Sequence, residues 1–299
     1  MEQFEFKHFA KQLKKAAKEV YEFFGDPYFQ GSAAGIAYFL FLSALPMFIL
    51  LSEIMGLFSL SLDAIEKWLD LNISGEGIDL IKGFFDYYPS GVNNVILAVI
   101  SVWAASRAEY NLMRIINYTF FDGRMLGKGY VRERGRAMVI VLVTIASLGI
   151  SLVILIYGPV LLEALFEKNE LTEAIGIVWM ALRWLVALGL LYLVISVLFY
   201  SLPSLRLPYR QVVPGTLVTS VGIIVVTAVY NIYMRYNVNY DILYGSLAGV
   251  VGLLIWLWAV GWVILIGIVF NRVWWAVRDE NKIPIPNEVI DKRTPTGIF

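Results

Sequence analysis

The chain has no cysteine and a single histidine, His8. These scarcities exclude disulfides, thiolate metal sites and any set of imidazole ligands. His8 stands in a basic segment with no visible acid–base partner and reads as an ordinary interfacial side chain. Charge is scarce too: Asp, Glu, Lys and Arg make up 16% of the 299 residues, against roughly 25% in soluble domains. The formal net charge is zero, which argues against a nucleic-acid surface, so no nucleic-acid partner is expected. No HExxH, paired-histidine or Asp-rich motif occurs, and the carboxylates are scattered, so neither a cofactor nor a metal site is expected. What the chain has in quantity is apolar sequence, 59% of its residues, gathered into long runs. The fold class this implies is an all-α integral membrane protein.

The run that organises the rest is Gly31 to Phe58, GSAAGIAYFLFLSALPMFILLSEIMGLF. About 20 apolar residues cross a hydrocarbon core as a helix, and this run exceeds that. Gly31 and Gly35, with Ala33 and Ala37, repeat at four-residue spacing and suit close approach of a neighbouring helix. Pro46 lacks an N–H and frees the carbonyl of Leu42, which in lipid needs a neighbour, a water or the Ser43 hydroxyl. Pro46 is therefore read as a kink, or as the wall of a cavity.

Five further spans follow, at about 92–117, 137–165, 174–202, 212–234 and 244–273, giving six in a membrane domain over 31–275. The second is cleanly apolar only to Ala105; its remainder carries Arg107, Glu109 and Arg114, which either face protein or water inside the bundle or snorkel to the headgroups. The third and fourth are separated by a short acidic turn. The fourth contains Arg183 and ends at Pro203. The fifth opens with Pro214 and Gly215, where a first-turn proline costs little. The sixth is glycine-rich from Gly245 onward and ends in Trp274 and Trp275, an aromatic belt. Pro46, Pro203, Pro214, Gly215 and Gly245 are the candidate kinks or hinges. Arg183 lies about nine residues into its span, roughly 14 Å deep, and Glu53 lies at a comparable depth in the first. The pair either forms a buried ion pair or contributes, with Arg107, Ser43 and Glu109, to a polar cavity that binds an anionic headgroup.

Residues 1–30 form a basic amphipathic helix in which Lys11, Lys14, Lys15 and Lys18 lie across from Leu13, Ala17 and Val20, suited to anchoring on anionic phospholipids at the cytoplasmic face. Residues 276–299 have no helical period and read as a loose tail. Six spans place both ends of the chain on one side. That side, which includes the 118–136 and 203–211 loops, carries 17 of the 24 Lys and Arg, against four in the opposite loops. The positive-inside rule makes it the cytoplasm.

Several stretches, in order, resemble the YihY/BrkB family: AGIAYFLFLSALPMFILLSEIMGLF at 34–58, WAASRAEYNLMRIIN at 103–117, MALRW at 180–184, LPSLRLPYRQVVPG at 202–215 and YGSLAGVVGLLIWLWAVGWVILIGIVFN at 244–271. The resemblance covers about residues 20 to 275. It implies a six-helix protein of the bacterial inner membrane, linked to envelope functions, serum resistance and, for some members, export of lipid or lipopolysaccharide precursors. Glu53 departs from the family's pattern, in which an apolar residue is usual, so no role is carried over to it. The resemblance also brings an older ribonuclease label, to which the scattered carboxylates lend no chemical support.

Three function classes follow. A transporter or flippase for an anionic, lipid-like envelope molecule fits arginines inside spans, a central proline and glycine-lined helices. A non-transporting scaffold or assembly factor fits if the arginines pair with carboxylates and the glycines only pack. An intramembrane enzyme is the third. The oligomeric state is left open by the sequence.

Overall fold

The computed structural model describes residues 18, 21–22, 25, 27–57, 92–120, 129–165, 172–204, 207–236 and 247–278. Six long helices account for nearly all of them: α1 (Pro27–Leu57), α2 (Val92–Phe120), α3 (Tyr130–Leu165), α4 (Thr172–Ser201), α5 (Tyr209–Tyr236) and α6 (Ala248–Arg278). No strand occurs among the described residues. Each helix packs on its neighbours in sequence, and α6 returns to α1, so the six close into a ring. Further contacts run from α1 to α3 and from α2 to α6.

Neighbouring helices run in opposite directions. Tyr28, at the start of α1, stacks on Tyr118, near the end of α2, with ring centroids 4.0 Å apart. Gly215 in the second turn of α5 meets Asn271 in the last third of α6. The start of α1 and the end of α6 thus share one end of the bundle. The main apolar core sits toward that end, built from Phe29 and Ile36, Met113 and Ile116, Ile140, Phe199 and Leu202, and Leu265 and Ile268.

Polar and apolar residues are distributed as a lipid solvent requires. On α5, Thr216, Thr219 and Ser220 are fully buried, whereas Leu217, Val221, Val225 and Val229 are 44–59% exposed at four-residue steps. In water such an apolar stripe would drive association; in a bilayer it is the solvated face. Two of these hydroxyls are satisfied along the helix, Thr216 donating to the Val212 carbonyl at 2.7 Å and Ser220 to that of Thr216 at 2.8 Å, whereas Thr219 Oγ1 has no hydrogen-bond partner among the described residues. Among the described residues three segments are long and apolar enough to cross a membrane, Tyr130–Ser151, Tyr209–Met234 and Ala248–Trp274, with a shorter apolar helix at Leu185–Ser201. The chain is a helical membrane-type protein.

Helix bounds depart from the sequence reading in informative places. α3 begins at Tyr130 rather than near Ala137, so Arg132, Arg134 and Arg136 stand on a helix and not in a loop. Gly129, with φ 103°, turns the chain into that helix, and its carbonyl accepts the Glu133 N–H at 3.0 Å. The early start holds because Arg134 and Arg136 find partners inside the protein, described below. α5 begins at Tyr209, which moves Pro214 from the expected first turn into the second. The Pro208 carbonyl receives the Gln211 N–H at 2.9 Å and closes the first turn upstream of the proline. α4 ends at Ser201, two residues before Pro203, as a proline stop requires. α1 is helical through Pro46. The Ser43 hydroxyl, one candidate to satisfy the freed Leu42 carbonyl, instead donates to the Leu40 carbonyl at 3.0 Å and is fully buried.

Candidate functional site

Helices α2 and α3 meet along a seam that holds two buried ionisable side chains. Glu109, from the middle of α2, is 3% exposed. Its Oε1 accepts the Thr144 hydroxyl of α3 at 3.2 Å, while Oε2 is buried with no partner. Thr144 also donates to the Ile140 carbonyl at 3.0 Å, so its single proton is shared. Arg134, in the first turns of α3, is 5% exposed. Its Nη2 donates to the Trp103 carbonyl of α2 at 2.8 Å, and its guanidinium carbon lies 4.5 Å from the Trp103 ring centroid and 5.8 Å from that of Tyr110. Its Nε is buried without an acceptor. Among the described residues neither Glu109 nor Arg134 is in an ion pair, and the two do not pair with each other. A buried charge without a counter-charge is expensive in a membrane helix.

A second polar cluster ties three helix ends together and behaves differently, because every group is matched. Asn117 donates through Nδ2 to the Ser204 hydroxyl at 2.7 Å and accepts the Ser204 N–H at 2.9 Å. Ser204 in turn donates to Glu133 Oε1 at 2.8 Å. Arg136 pairs with Glu133 Oε2 at 3.4 Å and donates to the carbonyls of Ser201, the last residue of α4, and Pro203, just beyond it. A cation on the open carbonyls at a helix C-terminus is favourable, and this network fixes the ends of α2, α3 and α4.

A third contact is one of close backbones. The Gly215 N–H donates to Asn271 Oδ1 at 2.6 Å. A Cβ on Gly215 would stand 2.1 Å from the Gly267 carbonyl oxygen, and one on Gly267 would stand 1.8 Å from Thr219 Oγ1. Only glycine fits at either position.

The structure therefore brings together some of the sequence candidates and separates others. Of the three charged residues expected in the second half of α2, Glu109 is buried in the seam, whereas Arg107 and Arg114 are exposed. Ser43 is buried on its own helix and bonds there, away from any cluster. Glu53 and Arg183 fall on α1 and α4, helices not adjacent in the ring, and their side chains lie outside the described residues, as does that of Pro46. Pro203 lends its carbonyl to Arg136, and Gly215 is a point of backbone approach. Gly245, Lys11, Lys14 and Lys15 lie outside the described residues, and Lys18 is exposed, 3.6 Å from Glu22. Among the described residues no three His, Cys, Asp or Glu side chains gather in a way that could hold a metal ion.

Sequence reasoning missed Arg134, Thr144 and the Asn117–Ser204–Glu133–Arg136 network. Arg134 and Arg136 were masked by their place in a basic stretch that counts equally well as a cytoplasmic loop. A signal was present in the spacing of Glu133 and Arg136, an i,i+3 pair that reads as helix.

Comparison with known proteins bears on the same segments. The chain matches the family described as Virulence factor BrkB over residues 20–288, which takes in all six helices and both polar clusters. The chain belongs to the BrkB family. A relative named ribonuclease-like protein YfkH, from Bacillus subtilis (strain 168), is 26% identical over 269 residues, covering 86% of this chain and 93% of that protein. No solved structure matches. The BrkB membership and the relative's name agree with the family resemblance drawn from the motifs, including the ribonuclease wording that travels with it.

Proposed function

We propose that this BrkB-family chain is a six-span protein of the bacterial inner membrane, with both termini in the cytoplasm, that moves an anionic, lipid-like envelope molecule across the bilayer. The observation that carries the reading is the α2–α3 seam, where Arg134 and Glu109 are both buried and neither is neutralised by an ion pair among the described residues. A scaffold uses buried charges to fix helix register and therefore pairs them. A transporter keeps ionisable groups open within its helices because its cargo or a coupling ion completes them in part of the cycle. Orientation follows from the excess of Lys and Arg at the end of the bundle that carries both termini. Lys11, Lys14, Lys15 and Lys18 hold the N-terminal segment to anionic phospholipids there.

A scaffold is the second reading, favoured by the fully matched Glu133–Arg136 network and the backbone contact at Gly215 and Gly267. Reconstitution of the purified chain with fluorescent lipids separates the first two readings. A transporter accelerates transbilayer movement of labelled anionic lipid over protein-free vesicles; a scaffold does not.

A further inference from the structure

Trp103, Arg107, Tyr110 and Arg114 recur along α2 at steps of four, three and four, which places them on one helical face. Arg134 of α3 lies against this face, its guanidinium over the Trp103 and Tyr110 rings that flank Arg107 in the stripe. Tyr130, 61% exposed, sets the edge of its ring against Tyr110 at 5.7 Å. Arg107 is exposed, and its charge bears unfavourably on that of Arg134. The only carboxylates among the described side chains are Glu22, which pairs with Lys18, Glu109, which faces Thr144, and Glu133, which pairs with Arg136. Neither Arg107 nor Arg134 has one.

Ring faces and a backbone carbonyl can hold a guanidinium, but they do not balance its charge. Two neighbouring cations without a carboxylate among the described residues, one of them with a buried and unused Nε, leave a site open to an anion. The surroundings say from where that anion comes. Trp103 is 43% exposed, and the outward faces continue in Ile96, Val99 and Ile100 on α2 and Val139, Leu142 and Val143 on α3. An amphiphile lying there sets acyl chains against these residues and its charged end against the arginines.

We propose that the groove between α2 and α3 around Arg107 and Arg134 binds the headgroup phosphate of an anionic phospholipid, with Trp103 and Tyr130 bordering its glycerol region. Arg134 is the fixed half of the site, locked by the Trp103 carbonyl; Arg107 is the mobile half that closes on the phosphate. The inference rests on the chain being in a membrane and does not require that it transports anything. A soluble phosphate shares the chemistry but gains nothing from the apolar border.

Native mass spectrometry on the full chain in detergent tests this, titrating phosphatidylglycerol, phosphatidylcholine with the same acyl chains, and inorganic phosphate. Wild type should bind phosphatidylglycerol in preference to phosphatidylcholine, and inorganic phosphate should not displace it at equal concentration. Arg107→Gln, at an exposed position that leaves the fold alone, should weaken phosphatidylglycerol binding about fivefold. Arg210→Gln, an exposed arginine at the start of α5, should leave it unchanged. Equal binding by wild type and Arg107→Gln, or an equal loss in Arg210→Gln, would overturn the site; displacement by inorganic phosphate would overturn the lipid as its ligand. Selective binding without transbilayer movement would defeat the transport reading alone, and movement without selective binding would defeat this one alone.

Discussion

At the residue scale, burial and pairing divide the described charged side chains into those paired within the bundle and those buried without a counter-charge. Arg136 belongs to the first kind. Its loss in Arg136→Gln leaves Glu133 buried with one fewer partner and the carbonyls of Ser201 and Pro203 without a cation. The cost expected is about 2 kcal/mol, below the roughly 3–5 kcal/mol of a fully buried pair, because the Arg136 side chain is 30% exposed. Thermal unfolding in detergent should register that loss, and adding Glu133→Gln should recover part of it. A single variant as stable as wild type would mean the network is not structural. Glu109 belongs to the second kind. Glu109→Gln keeps an acceptor for Thr144 and removes the buried charge, so stability should hold or rise while function falls. A Glu109→Gln protein that unfolds several degrees earlier would instead make the carboxylate a structural element. Arg107 and Glu109 were legible as candidates from the sequence because charge inside an apolar run is conspicuous. Arg134 was not, because one arginine among several in a basic stretch carries no mark of the ring faces and carbonyl it will meet.

At the scale of elements, the apolar runs dictated where helices form, and the errors lie at their ends. The start of α3 shows why: residues 130–136 are too charged to be read as part of a span, yet they are helical because tertiary partners on α2 and α4 accept their side chains. Hydropathy alone cannot see that compensation. The α5–α6 contact was half legible. The glycines advertised close packing, but which of them meet a backbone depends on helix rotation, and Gly215 with Gly267 proves to be the pair while Gly249 faces open space. Accordingly Gly267→Ala should destabilise the bundle by about 1–3 kcal/mol, since the new methyl group collides with Thr219 and the Gly215 carbonyl. Gly249→Ala should be neutral or slightly stabilising. The two midpoints measured side by side decide the matter, and equal behaviour would contradict the packing described for α5 and α6.

At the scale of the whole molecule, the inside-out pattern of α5 gives the bundle a solvent, and the one-sided excess of basic residues supports the orientation proposed above. The chain has no cysteine of its own, so single introduced thiols report cleanly. Cysteines at Gly75 and Asn169 should react with an impermeant maleimide in intact cells, whereas one at Gly127 should react only after permeabilisation. Labelling at Gly127 from outside would reverse the orientation. The central claim is that the α2–α3 seam serves the passage of an anionic amphiphile, and the most direct measurement is the initial rate of transbilayer movement of a fluorescent anionic lipid in vesicles holding equal amounts of wild-type or Glu109→Gln protein. The account predicts movement well above protein-free vesicles for wild type and a rate near the protein-free background for Glu109→Gln at unchanged stability; a wild-type rate no faster than protein-free vesicles, or a variant as fast as wild type, would contradict it.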